Sequence, residues 1–144
     1  MPPIEKTILI VEDNEINLKL LVAVLEMLPC RTLTATDAET GLCLAGEYQP
    51  DLILMDLQLP GMDGIQAAAL LKADERLNQI PVIAMTGYES SDFGGSLERA
   101  GFSDLIAKPF EVRSLLETVS RYLEDFSGPS YPGMEKEYLD EKEV

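Results

Sequence analysis

The chain has 144 residues, with 26 Asp and Glu against 11 Lys and Arg, a formal charge of −15 and no histidine. Its length fits one domain, and its acidity argues against nucleic acid or an anionic membrane as the main partner, because phosphate binding relies on clustered Lys and Arg. Without histidine there is no Ser-His-Asp triad, no His-ligated zinc and no phosphohistidine, so phosphoryl or metal chemistry has to run through oxygen ligands.

The opening segment MPPIEKTILIVED lacks a basic flank, a long apolar region and a small-residue cleavage site, so no signal peptide is expected. A continuous apolar run at 8–11 predicts a buried strand. Next, Ile16, Leu20, Leu21, Val24, Leu25 and Leu28 fall on one broad helix face, with Asn17, Lys19 and Glu26 off it. The LLVAVL run inside that helix is far too short to span a bilayer. A weaker strand follows at 32–35, then a helix over 38–47, a strand at 52–55 and a helix over 65–77. A fourth strand is predicted at 82–85. The helix expected within 92–100 is opposed by Gly94 and Gly95, each costing about 1 kcal/mol relative to Ala in a helix interior. A weak strand at 105–107 precedes a final helix in which Leu115, Val119, Tyr122 and Phe126 repeat at three and four, opposite Arg113, Glu117 and Arg121. Turn-rich SGPSYPG then leads into charged MEKEYLDEKEV, so residues 127–144 read as an acidic tail on a domain of residues 1–126. Cys30 and Cys43 have no metal-ligand spacing and read as small apolar side chains in a reducing cytoplasm.

Strands alternating with helices predict an α/β fold: a flavodoxin-like, doubly wound, five-stranded parallel sheet of order 2-1-3-4-5 with five helices. In such sheets ligands sit beyond the carboxyl ends of the strands. Glu12 and Asp13 follow the first strand, Asp56 the third, Thr86 and Gly87 the fourth, and Lys108 and Pro109 the fifth. Singly, each has an ordinary explanation as a helix cap, a turn dipeptide or a solvated lysine. Jointly, they place three carboxylates, a hydroxyl and an ammonium on one sheet edge.

Crowded carboxylates repel unless a cation sits among them, and a hard divalent ion with retained waters, Mg²⁺, suits oxygen ligands best. An Asp in that setting can act as nucleophile toward a phosphoryl group. Lys108 would share the phosphoryl charge as a point cation, Thr86 could donate its hydroxyl, and Gly87 leaves the approach open.

These residues lie in ILIVEDNEINLKLL at 8–21, PDLILMDLQLPGMDG at 50–64, PVIAMTG at 81–87 and AKPF at 107–110. In content, order and spacing the segments resemble the receiver domains of two-component response regulators, over about residues 5–126. VEDN followed by Asn17 is most similar to receivers that stand alone or end hybrid kinases. The resemblance implies that Asp56 accepts the phosphoryl group and that Glu12, Asp13, Asp56 and the Gln58 backbone carbonyl hold Mg²⁺. It makes Thr86 the switch hydroxyl, Lys108 the phosphate-binding lysine, and Pro109 a residue typically preceded by a cis peptide bond. It also implies a histidine kinase or histidine phosphotransfer protein as donor, and a downstream protein met by the face of the fourth helix, fifth strand and fifth helix. Since this chain has no histidine, the phosphohistidine must come from another polypeptide.

One position departs from the family pattern. Leu105 stands where an aromatic switch residue is frequent, and leucine has no hydroxyl tip to swing between solvent and core as the usual coupling to Thr86 requires; Phe102 and Tyr88 read as packing residues. The fourth helix is expected to be short, frayed or displaced before phosphorylation. Two other functions are compatible with the fold: a receiver-like binding module that is never phosphorylated, and a hydrolase using an aspartyl-phosphate. The hydrolase would want a second Asp where Gln58 stands.

Overall fold

The computed structural model describes residues 5–87 and 96–123. Five parallel strands, β1 (Lys6–Val11), β2 (Cys30–Ala35), β3 (Leu52–Asp56), β4 (Val82–Thr86) and β5 (Asp104–Ala107), form one sheet of order β2-β1-β3-β4-β5. The helices are α1 (Glu15–Leu25), α2 (Ala38–Tyr48), α3 (Gly64–Ala73), α4 (Ser96–Ala100) and α5 (Val112–Leu123). The expected flavodoxin-like topology is the one observed.

Every residue of β3 and β4 is buried, because helices cover both faces of the sheet centre. Alternate residues divide between two apolar layers. Leu9, Val11, Ile53 and Met55 pack with Ala45, Ala68 and Leu71 on the α2–α3 side. Ile8, Ile10, Leu52 and Leu54 pack with Leu21, Leu25, Leu115 and Val119 on the α1–α5 side. β2 reads weakly in the sequence because it is an edge strand, with Arg31 and Thr34 exposed. It starts earlier than its apolar pattern, at Cys30 opposite Lys6.

Three helices begin at side-chain caps, where Asn14, Asp37 and Asp63 accept the backbone N–H of Asn17, Thr40 and Gln66. Two expectations need correction. The first helix does not bury all six residues of its apolar face: Ile16 is 78% and Leu20 42% exposed. A helix turns about 100° per residue, so with Leu21 and Leu25 against the sheet, Leu20 is carried to the flank. The third helix stops at Ala73 and not at 77, because Asp74 Oδ1 accepts the Arg76 N–H at 2.9 Å. Leu77 is buried all the same, from a turn in which its N–H donates to the Asp74 carbonyl.

Within the described residues α4 runs Ser96–Ala100. Residues 92–95 of the stretch expected to fray, with Gly94 and Gly95, lie outside the described residues, as do Tyr88, Phe126 and the segment 127–144. Phe102 is buried, as a packing residue should be.

Gly46 sits within α2, where an added Cβ would meet only an Arg76 guanidinium nitrogen at 3.7 Å. Gly46→Ala should therefore stabilise the fold by roughly 0.5–1 kcal/mol, by removing backbone freedom from the unfolded chain. Urea unfolding checks this: the midpoint should rise with the slope unchanged, and a lower midpoint would contradict the open environment.

Candidate functional site at the carboxyl edge of the sheet

The sheet brings the strand ends together through its register. Asp56 closes β3 opposite Met85, and Thr86 closes β4 opposite Ala107. Just past β1, the Glu12 N–H donates to the Ala35 carbonyl at 3.0 Å, which turns its side chain into a fully buried position. Asn14 helps hold it, its N–H donating to Glu12 Oε2 at 3.3 Å. Because Asn14 and not Asp13 caps α1, the exposed Asp13 carboxylate is left at the cluster.

Lys108 joins these elements. Its backbone N–H donates to the Thr86 carbonyl at 2.8 Å, and the bond to Pro109 is cis. Its ammonium lies 2.9 Å from Glu12 Oε1 and 2.9 Å from Asp56 Oδ2. The other Asp56 oxygen accepts the Gln58 N–H at 2.9 Å. Thr86 is buried, and a Cβ on Gly87 would meet nothing within 4 Å, so the approach is open there.

The electrostatics follow from burial. Glu12 is pushed up to about 7, first by desolvation and then by the hydrogen bond and charge of Asp56, against the lowering pull of Lys108. For Lys108, burial works to lower the ammonium, but its hydrogen bonds to Asp56 and Glu12 and their charges outweigh it and hold the group up.

These residues fit a divalent cation. Carboxylate oxygens of Glu12, Asp13 and Asp56 come within 4.8 Å of one another. Glu12 Oε1 is buried, and among the described residues only the Lys108 ammonium lies within hydrogen-bonding reach of it. An all-oxygen set on one open edge suits a hard ion that keeps some of its water.

Of the sequence-assigned residues, Glu12, Asp13, Asp56 and Lys108 meet at this edge by side chain, Gln58 lies beside Asp56 by its amide, and Thr86 is buried at the end of β4. Sequence reasoning missed two contributors. Asn14, a residue type suited to helix caps, caps α1 and also holds Glu12. Gly64, by type half of an Asp-Gly turn dipeptide, packs on the peptide of Asp56.

A sequence profile described as the response regulator receiver domain matches residues 8–120. The polar-differentiation response regulator DivK of Brucella ovis is 40% identical over 120 residues, spanning 83% of this chain and 98% of that protein. The receiver domain of the sensor histidine kinase PA1611 of Pseudomonas aeruginosa, solved with a magnesium ion in its active-site cleft, is 31% identical with a TM-score of 0.76, over 84% of this chain and 99% of that one. The chemotaxis response regulator CheY4 of Vibrio cholerae shares the fold, with a TM-score of 0.78 at 22% identity, over 83% and 99% of the two chains. By profile, by relatives and by fold, the chain belongs to the response regulator receiver domains of two-component signalling.

Proposed function

We propose that this receiver is a phosphorylation-controlled switch in which Asp56 accepts a phosphoryl group from a phosphohistidine that this sequence does not contain. The observation that carries the reading is the Lys108 ammonium held 2.9 Å from both buried carboxylates, Glu12 and Asp56, with Asp13 in the same cluster. An Asp56 carboxylate oxygen forms the new O–P bond as the N–P bond of the donor breaks, the electron pair leaving with the imidazole nitrogen. Lys108 faces the phosphoryl oxygens, Thr86 donates its hydroxyl to one of them, and the Gln58 N–H orients the carboxylate from behind. Glu12, Asp13, Asp56 and the Gln58 carbonyl are the residues to hold Mg²⁺, which supplies positive charge against the phosphoryl oxygens when bound.

The signal leaves by a changed surface on α4, β5 and α5 that engages a downstream protein. Residues 1–126 make up the receiver and 127–144 an acidic tail, and the protein works in the cytoplasm. Among the described residues no helix is long and apolar enough to cross a membrane. The intact set of Asp13, Asp56, Thr86 and Lys108 favours this reading over an unphosphorylated binding module. Gln58, where a hydrolase would want an acid, speaks against a metabolic phosphatase.

The direct test is incubation with Mg²⁺ and a small-molecule phosphodonor, followed by intact-mass detection of an acid-stable, base-labile phosphate. Wild type should gain one phosphate and Asp56→Asn none. An unlabelled wild type would favour the binding module, and rapid turnover of varied phosphate esters the hydrolase.

The donor has to cover the surface around Asp56. Ile16 and Leu20, exposed on the helix that starts beside Asp13, offer it an apolar landing. Ile16→Asp should slow transfer from a phosphohistidine protein about tenfold, the loss of one modest interface anchor, and leave labelling by a small phosphodonor unchanged. Equal slowing in both assays would place the effect in the site and not in docking.

A further inference from the structure

Gly64 opens α3, eight positions after the acceptor, and its Cα lies directly on the acceptor's own peptide group. A Cβ built there would sit 2.3 Å from the Asp56 carbonyl oxygen, 3.1 Å from the Asp56 carbonyl carbon and 3.0 Å from the Leu57 Cα. All three are backbone atoms, so no side-chain rotation relieves the clash. The contact is fixed from both sides. The Gly64 N–H donates to the Leu57 carbonyl at 3.3 Å, and the Leu57 N–H to the Met85 carbonyl at 3.0 Å. Asp63 caps the same helix end through the Gln66 N–H at 2.8 Å, while Leu57 and Leu59 are buried beneath the loop. The last residue of β3 is thus wedged between β4 and the first turn of α3.

We infer that Gly64 is a positioning residue for phosphorylation: its bare Cα lets α3 seat against the Asp56 peptide and so sets where the acceptor carboxylate stands relative to Lys108. This rests on Asp56 being the acceptor, as proposed above. A methyl at position 64 has to move the Asp56 peptide or the helix by about an ångström to reach ordinary contact. Misplacing a reacting group by that much costs on the order of a hundredfold in rate. Gly46, also helical, has no such neighbour and serves as the contrast.

The test compares labelling rates of the full chain at saturating Mg²⁺ and phosphodonor, at a temperature where circular dichroism shows each variant folded. Gly64→Ala is expected to slow labelling ten- to a hundredfold. Leu25→Ala, a buried change on α1, loses stability but should keep the wild-type rate. A wild-type rate for folded Gly64→Ala, or slowing matched by Leu25→Ala, overturns the inference. Should Gly64→Ala not fold even when combined with Gly46→Ala, Asp63→Ala takes its place. That variant loosens the seat of α3 without adding an atom. It should slow labelling severalfold, and an unchanged rate would equally overturn the inference. Labelled wild type with unlabelled Asp56→Asn, measured alongside, keeps failure of the acceptor assignment distinct from failure of the positioning role.

Discussion

Lys108→Ala should lower the rate of Asp56 phosphorylation by roughly 10²–10³-fold, the loss seen when one preorganised charge-stabilising donor is removed from an active site. The ammonium stands 2.9 Å from Asp56 Oδ2 and 2.9 Å from Glu12 Oε1, so it already occupies the place where negative charge has to be balanced. A second consequence appears without any phosphodonor. Three carboxylates within 4.8 Å would lose the Lys108 ammonium, the one close cation among the described residues. Breaking a fully buried pair costs about 3–5 kcal/mol. The Lys108 side chain is 20% exposed and the edge is open to water, so about 1–3 kcal/mol is the better expectation here. Part of that loss is relieved by Glu12, already pushed up to about 7 by burial and by Asp56, taking a proton more readily. The variant should therefore melt below wild type in chelator and gain more from added Mg²⁺ than wild type gains, because a ligand stabilises the state that binds it. Thermal unfolding with and without Mg²⁺ checks this. An equal Mg²⁺ shift in the two proteins would mean that Lys108 does not neutralise the carboxylate cluster.

Leu25→Ala and Leu20→Ala should differ severalfold in their cost to stability, although both positions fall on the one broad helix face read from the sequence. Leu25 is fully buried among Ile8, Leu21 and Val119, and truncating it removes apolar burial and leaves a cavity, at about 2–5 kcal/mol. Leu20 is 42% exposed, and its truncation should cost less than about 1 kcal/mol. Urea titration of the two variants decides the matter; equal costs would return Leu20 to the core face that periodicity assigned it.

That pair shows how far periodicity reaches. In β1, β3 and β4 the apolar runs locate the strands to within two residues, since a strand covered on both faces tolerates no polar interruption before its end. In α1 the same reasoning overreaches, because six apolar residues can share a broad arc while the sheet covers only part of it. At 65–77 the apolar Leu77 extended the apparent helix, whereas the Asp74 side chain ends it by bonding the Arg76 N–H. Leu105, the departure from the family pattern, is half-buried against the layer that holds Leu97 and Phe102. It packs there as a core side chain, without a polar tip to turn outward.

By itself the sequence determined the α/β order of elements, the parallel sheet and the residue types at each strand end. Those depend on local patterns: the period of apolar residues, the caps, and the residue that follows each run. It also determined that this sequence can form no phosphohistidine of its own, which follows from a count. Only the tertiary structure decided that Glu12 is buried and bridged to Asp56 by Lys108, that Ile16 and Leu20 face solvent, and that Gly64 seats α3 on the Asp56 peptide. The physical reason is common to all three. Burial and contact distance depend on which distant segments meet, and Asp56, Lys108 and Gly64 meet only once the crossovers have closed the sheet.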